Sequence, residues 1–387
     1  MKFGLFNNMN NNYFSLGRYL IDDGHDVKLF LLNEQSHFYP ENDCYDLGDL
    51  NFVEELDWYD IGHWKIKKEQ LLKVISEFDV CIVADTVPAF FFKAGKRADF
   101  MFPHGGEIFS KPFFHFNPKK PWKSQLGEFI EKYQLRKGLA ETKMISVPIQ
   151  NDFYENCLVK LKIKKNRGFN TCPIIYYPQY FSNSFREFQA SSKYYQLLKF
   201  EKSEGKIIIF SHTRHELNRE NDQHYKGNDK LIRSFADLTL DNKKIRLVLF
   251  ENGNDYKKSK ELVNSLEIEE FVIWFPKLSR KEIMPLLPLV DVGVGNLGDV
   301  KSTTYGVLFE FLIFNIPVIQ NGVEFDQDCL DRNAYFFLQA NSLTEVKKVL
   351  KYSVDDLDSI KGRAAKGLDW IKLNMVEKPL SMIYEFD

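Results

Sequence analysis

Ser302-Thr303-Thr304-Tyr305-Gly306-Val307-Leu308-Phe309-Glu310-Phe311-Leu312-Ile313-Phe314-Asn315-Ile316-Pro317-Val318-Ile319 reads as a small polar loop, an apolar helix and the opening of a strand. A preceding apolar strand ends near Asn296, so the loop joins the end of a strand to the start of a helix. The first turn of such a helix offers unpaired backbone N–H groups and the positive end of the helix dipole, a place suited to phosphate. Glu310 lies about two turns in, at 3.6 residues per turn, within an otherwise apolar run. A carboxylate there is costly unless something donates hydrogen bonds to it. Ribose hydroxyls would serve, and so would a nearby lysine.

Outward from this stretch the second half of the chain alternates regularly. Strands are predicted at Lys206 to Phe210, Arg246 to Phe250, Phe271 to Phe275, Val290 to Val294 and Pro317 to Gln320. Helices are predicted between them at Lys230 to Leu240, Asp255 to Leu266, Ser279 to Leu287 and Thr304 to Phe314. The first half opens with its own strand, helix and strand: Lys2 to Phe6, Tyr13 to Asp23 with Gly24 as the stop, then Asp26 to Leu32. Apolar runs at Val80 to Ala84, Phe100 to Phe102 and Met144 to Val147 continue it, with a helix over Ser124 to Leu139. The stretch from Ile174 to Lys202 breaks the rhythm and predicts a linker. The expectation is therefore an α/β protein of two Rossmann-like domains, 1–180 and 181–387. A last helical stretch, Val354 to Ile383, interrupted only by Pro379, is expected to return towards the N-terminal domain and pack across both.

Composition agrees with two cores. In 387 residues 44% are hydrophobic and 27% charged, and 52 basic against 54 acidic side chains leave a net charge of -2. Such a balance argues against a protein that grips nucleic acid, so any bound anion must be met by local charge. The five cysteines, Cys44, Cys81, Cys157, Cys172 and Cys329, are scattered without a paired spacing, which predicts a reducing compartment and no structural zinc. The apolar start gives way to asparagines too soon for a secretory leader, and no stretch reaches the roughly 18 apolar residues of a membrane span. A cytoplasmic protein is expected, with peripheral contact at the inner face of the membrane left open.

The segment around Glu310 resembles the donor-site signature of the "glycosyl transferases group 1" family, enzymes of the GT-B fold. In that signature a glutamate, seven residues and a second glutamate precede a strand. Glu310 matches the second, which in the family binds ribose. The first falls on Ser302, a departure from the pattern. Upstream, Ser211-His212-Thr213-Arg214 follows a strand, and Lys226-Gly227-Asn228-Asp229 opens a helix. By the same resemblance Arg214 and Lys226 take the positions of the two cations that neutralise the donor pyrophosphate. Arg supplies a planar fork for phosphate oxygens and Lys a compact charge. Ser302, Thr303 and Thr304 would complete the phosphate site, and the strand ending Trp274-Phe275-Pro276 resembles the family's contact with the nucleotide base, with Phe275 at its edge.

In the first half, Pro103-His104-Gly105-Gly106-Glu107 follows a strand, at the kind of position where open α/β sheets place ligands. It resembles the loop that faces the donor sugar in some relatives, which makes His104 and Glu107 candidates at the reaction centre. The asparagine turn from Asn7 to Asn12 resembles the family's N-terminal loop near acceptor and donor phosphates, with Asn11 as its candidate; helix capping accounts for one of these asparagines, not for five. The loop Phe109 to Trp122 interleaves aromatics with Lys111, Lys119 and Lys120, with Lys123 just after it, a pattern open to a lipid-linked acceptor or an anionic membrane surface, though a packed loop with solvated lysines is the reading it favours.

The resemblance implies a glycosyltransferase that moves a sugar from a nucleotide-sugar donor, UDP- or GDP-linked, to a glycan, lipid-linked or protein acceptor. Retention at the anomeric carbon is part of that implication. No metal site and no further cofactor are expected. Two other readings stand beside it: a nucleotide-sugar 2-epimerase on the same fold, and a non-catalytic subunit that binds a nucleotide-sugar, which the Ser302 departure keeps open.

Overall fold

Runs such as Val-Cys-Ile-Val at residues 80–83, apolar at every position, are buried along their whole length, as strands of a parallel sheet covered on both faces must be. The computed structural model describes residues 1–32, 39–63, 65–103, 106–146, 152–163, 167–168, 172–218, 224–299, 306–321 and 337–385. It contains two such sheets. The first is built from β1 (Lys2–Phe6), β2 (Asp26–Leu31), β3 (Val53–Glu55), β4 (Val80–Val83), β5 (Phe100–Met101), β6 (Met144–Ser146) and β7 (Arg167–Gly168), in the order β3-β2-β1-β4-β5-β6-β7. The second holds β8 (Ile207–Phe210), β9 (Ile245–Glu251), β10 (Val272–Pro276), β11 (Val292–Val294), β12 (Val318–Gln320) and β13 (Phe337–Gln339), in the order β10-β9-β8-β11-β12-β13.

All pairings are parallel. Phe3 of β1 stands between Val27 and Val80, and Ile209 of β8 stands between Leu247 and Val292. In each sheet the chain works outward from the first strand, then crosses to its other side, so the order reverses between β1 and β4 and between β8 and β11. Loops leaving the carboxyl ends of strands at such a reversal diverge and leave a crevice for ligands. The chain divides into two units, Met1–Tyr176 with Leu373–Asp387, and Tyr177–Lys372. Each has its own buried apolar cluster, one around Phe6, Val83 and Phe91 and one around Ile209, Leu247 and Phe235.

The stretch from Ile174 to Lys202, expected to hold the linker, does contain the division between the units, between Tyr176 and Tyr177, and beyond it is mostly helical, with helices at Asn183–Ser191 and Lys193–Ser203. Ser182 and Ser192 cap them, accepting from the N–H of Phe185 and of Tyr195, and both helices dock on the second sheet's unit through Gln189 to Pro285 O and Tyr194 on Phe275. The long final helix is broken well before Pro379. Asp356 ends one helix and caps the next by accepting from Ser359 N, and a π-turn spans Lys372–Glu377. Pro379 sits in the first turn of its own helix, where a missing N–H costs nothing.

Candidate functional site

The carboxyl ends of β8 and β11 gather the polar side chains of the second unit. The helix Gly306–Ile313 packs there because β11 carries Gly293 beneath it: a Cβ at that position would stand 2.7 Å from the Phe311 ring. Leu308, Phe309, Phe311, Leu312 and Ile313 are all buried, and Glu310 among them is buried too, with 9% of its side chain still exposed. Two donors meet it. Nε2 of His212, on the loop leaving β8, lies 2.6 Å from one carboxylate oxygen, and Nε of Arg280, in the first turn of the helix after β10, donates to the other at 2.9 Å. Burial alone would raise the Glu310 pKa, yet the hydrogen bond from His212 and the charge of Arg280 outweigh it and hold the carboxyl down to about 2. Because the carboxylate is then purely an acceptor, His212 must donate from Nε2. Its ring is fixed edge-on against Phe210 and Phe311.

The next residues of the same loop separate into structural and available groups. Ser211 and Thr213 are buried with their hydroxyls 3.2 Å apart, and Asn228 donates to Thr213 Oγ1. His215 is fully buried with Nδ1 2.8 Å from Ser259 Oγ, and burial pushes its pKa down to about 4, as befits a neutral core imidazole. Arg214 between them is exposed.

Lys226 is held close by. Gly227 follows it with φ +71°, and a Cβ there would stand 2.4 Å from the carbonyl oxygen of Leu297, beyond the end of β11. Lys226 O accepts from Leu297 N, and Lys226 N donates to Glu216 O. The ammonium is half-buried, and its pKa is lowered by that burial first and then by the charge of Arg214, with Glu216 opposing. Lys230, one turn on, is used up structurally: its Nζ reaches Leu297 O, Asp299 and Asn341 O.

Of the other residues singled out in the sequence, Ser302, Thr303, Thr304 and His104 lie outside the described residues. Phe275 is buried between Tyr194 and Phe250, so its ring is part of the core. Glu107 is buried in the helix Gly106–Phe109 after β5, close enough to contribute to the raised pKa of Tyr13, whose main cause is burial. Asn11 does not cap its helix; its carboxamide bonds Asn8 and Tyr39 O. The asparagine cluster also has a backbone reason. Asn7, Asn10 and Asn11 all adopt positive φ, which asparagine tolerates better than other side chains, and Asn8 accepts from Phe14 N. Arg280 escaped the sequence reading altogether. Its only signal was a place just past the end of β10, one residue after the capping Ser279.

No family model matches the sequence, and no curated protein is significantly similar to it. Solved structures are similar in fold. Anabaena Alr3699/HepE, described in complex with UDP and glucose, is 12% identical with a TM-score of 0.65, over the whole of both chains. Sucrose-phosphate synthase from Thermosynechococcus elongatus is 11% identical with a TM-score of 0.60, over all of this chain and 98% of its own. A structure from Listeria monocytogenes, described as a UDP-N-acetylglucosamine 2-epimerase, is 10% identical with a TM-score of 0.55, over 94% of this chain and 90% of its own. Likeness at this level establishes the fold, the two-domain α/β architecture called GT-B.

Proposed function

We propose that this chain is a glycosyltransferase that binds a nucleotide-sugar, UDP- or GDP-linked, at the carboxyl ends of β8 and β11. The observation that carries this reading is the joining of the two cation-bearing segments at the strand-order reversal of the second sheet: Lys226 N donates at 3.1 Å to the carbonyl of Glu216, two residues past Arg214 on the loop leaving β8, and Lys226 O accepts from Leu297 N beyond β11. A diphosphate bound there would be met by both charges, the exposed guanidinium and the half-buried ammonium. Glu310 supplies the complementary feature, a carboxylate kept anionic by His212 and Arg280 whose remaining lone pairs suit ribose hydroxyls. The complexes of HepE with UDP-glucose support a donor of this class.

In the reaction proposed, the bond from the anomeric carbon to the diphosphate oxygen breaks and negative charge builds on the leaving group. Arg214 and Lys226 stabilise that charge, and Ser302, Thr303 and Thr304 are assigned to the same phosphates on the sequence resemblance. The acceptor is assigned to the first unit, with His104 and Glu107 as candidates for its chemistry; a glycan, lipid-linked or protein acceptor all fit this reading, and retention follows from the sequence resemblance.

A thermal-shift screen against UDP-, GDP-, dTDP- and CMP-sugars identifies the donor, since a ligand of the folded state raises its stability by mass action. With the donor in hand, Arg214→Ala and Lys226→Ala are each expected to lower kcat by roughly 100-fold or more, with a smaller effect on donor affinity, because the charge they meet grows as the bond breaks. Folded variants with wild-type turnover would remove both residues from the site. The likeness to the Listeria structure favours one alternative, epimerisation of the bound sugar. Release of free nucleoside diphosphate that depends on an added acceptor, without interconversion of the donor sugar, separates transfer from it.

A further inference from the structure

The 20-residue helix Trp122–Glu141 in the first unit has two faces of different character. Its inner face seats on the helix Val87–Ala94 through Leu135, Gly138 and Leu139; a Cβ on Gly138 would stand 2.0 Å from Pro88 O, so the two helices are in direct backbone contact. That seating turns the opposite side outward. Trp122, Leu126, Phe129 and Tyr133, spaced four, three and four residues apart, fall on one stripe of a 3.6-residue helix, and they are 69%, 49%, 50% and 49% exposed. Phe116, on the loop before the helix, is 72% exposed, and Phe114 packs edge-on against Phe129.

Basic side chains border this stripe. Lys119 and Lys123 stand at its start and Arg136 and Lys137 at its end, all exposed; Lys123 lies over the Trp122 ring, Lys137 over Tyr133 and Arg136 over Phe113. The acidic residues of the helix's middle, Glu128 and Glu131, are only partly exposed, and Glu128 is paired with Lys120 and Lys132. A chain of net charge -2 thus places an aromatic row fringed with cations on one outward helix face. Tryptophan and tyrosine prefer the boundary between headgroups and acyl chains, and long cationic side chains lay their stems along apolar surface while their charges reach anionic headgroups.

We propose that this face docks the protein on an anionic lipid bilayer, the helix lying in the plane of the interface with Trp122, Leu126, Phe129 and Tyr133 inserted and the flanking cations at the headgroups. The proposal commits to a bilayer on charge complementarity and does not depend on the donor reading. No helix among the described residues is long and apolar enough to cross a membrane, so the association is peripheral.

Co-sedimentation of the full chain with vesicles tests it, using phosphatidylcholine alone and phosphatidylcholine with about a third phosphatidylglycerol. Binding is expected to the anionic vesicles only, and to weaken as salt shortens the reach of the charges. The double variants Trp122→Ser with Phe129→Ser and Lys123→Glu with Lys137→Glu alter exposed side chains, so they are expected to melt like the wild type while each weakens binding roughly tenfold or more. No binding to anionic vesicles, or unchanged binding by both variants, overturns the proposal. So does a dimer in sedimentation velocity that Trp122→Ser dissociates, since the face would then belong to a second copy of this chain.

Discussion

At the scale of single residues, Glu310 shows how burial and charge are reconciled. The carboxylate is paired on both oxygens, and the pairing sets a pH dependence whose sign follows from the depressed pKa. A group whose folded pKa lies at about 2, below the ordinary carboxylate value of 4.5, contributes stability that is fully present above about pH 4.5 and is lost as pH falls towards 2. The full contribution is on the order of 3 kcal/mol at 1.36 kcal/mol per pH unit. Glu310→Gln is therefore expected to be less stable than the wild type by about 2–3 kcal/mol at pH 7, and the gap is expected to close as unfolding is measured at progressively lower pH. A gap that stays constant down to pH 3 would show that the carboxylate is not held by His212 and Arg280. The same substitution should weaken donor binding, measured by calorimetry at pH 7, because a neutral amide is a poorer acceptor than a carboxylate.

At the scale of elements, the donor site depends on how closely the segment Tyr225–Gly227 presses on the end of β11. Gly227 provides both the left-handed backbone and the space; alanine there would be strained at φ +71° and would collide with Leu297 O. Gly227→Ala is expected to cost roughly 1–3 kcal/mol for the strained conformation and to move Lys226. The check is a paired measurement, the melting temperature together with donor affinity. A folded variant with unchanged affinity would mean that the seating of Lys226 on β11 has no part in binding. Arg280 teaches a related lesson. It reaches Glu310 from a helix of only one turn, Arg280–Ile283, fixed by a capping box in which Ser279 and Glu282 bond each other's backbone N–H. Such a short element gives no periodic signal in sequence, and its direction is set by the strand before it.

At the scale of the whole molecule, the two units are unlike in how they use the chain. The second is one continuous segment, Tyr177–Lys372, whereas the first is completed by Leu373–Asp387. That last segment buries Met375, Val376, Leu380 and Ile383, and Tyr384 donates to Asp23 at 2.5 Å while its ring meets His25. The fragment Tyr177–Lys372 is accordingly expected to fold alone and to keep its affinity for the nucleoside diphosphate within about tenfold, since the residues assigned to it all lie inside that segment. Removing Leu373–Asp387 from the full chain is expected to destabilise the first unit, read as hydrogen exchange that accelerates in β1 and β2 but not in β8 or β9. Exchange that accelerates equally in both sheets would show that the last segment supports the molecule as a whole.

The sequence by itself determined the alternation of strands and helices, the two parallel sheets and the positions of Glu310, Arg214 and Lys226, because apolar periodicity and strand-end loops are local properties that each segment carries alone. Its readings were incomplete where local pattern and tertiary need diverge. The polar, aromatic stretch over Ile174 to Lys202 does hold the division between the units, but its two helices are legible only once Tyr194 and Phe185 pack on Phe275 and Phe314. An asparagine cluster read for its side chains also meets a backbone need, the positive φ angles of Asn7, Asn10 and Asn11. What Glu310 bonds to, how the segment carrying Lys226 seats on Leu297, and which face of the helix Trp122–Glu141 is turned outward were settled only by the tertiary structure. Each involves residues far apart in the chain, and their approach is fixed by the packing of whole sheets and helices, which no window of sequence contains.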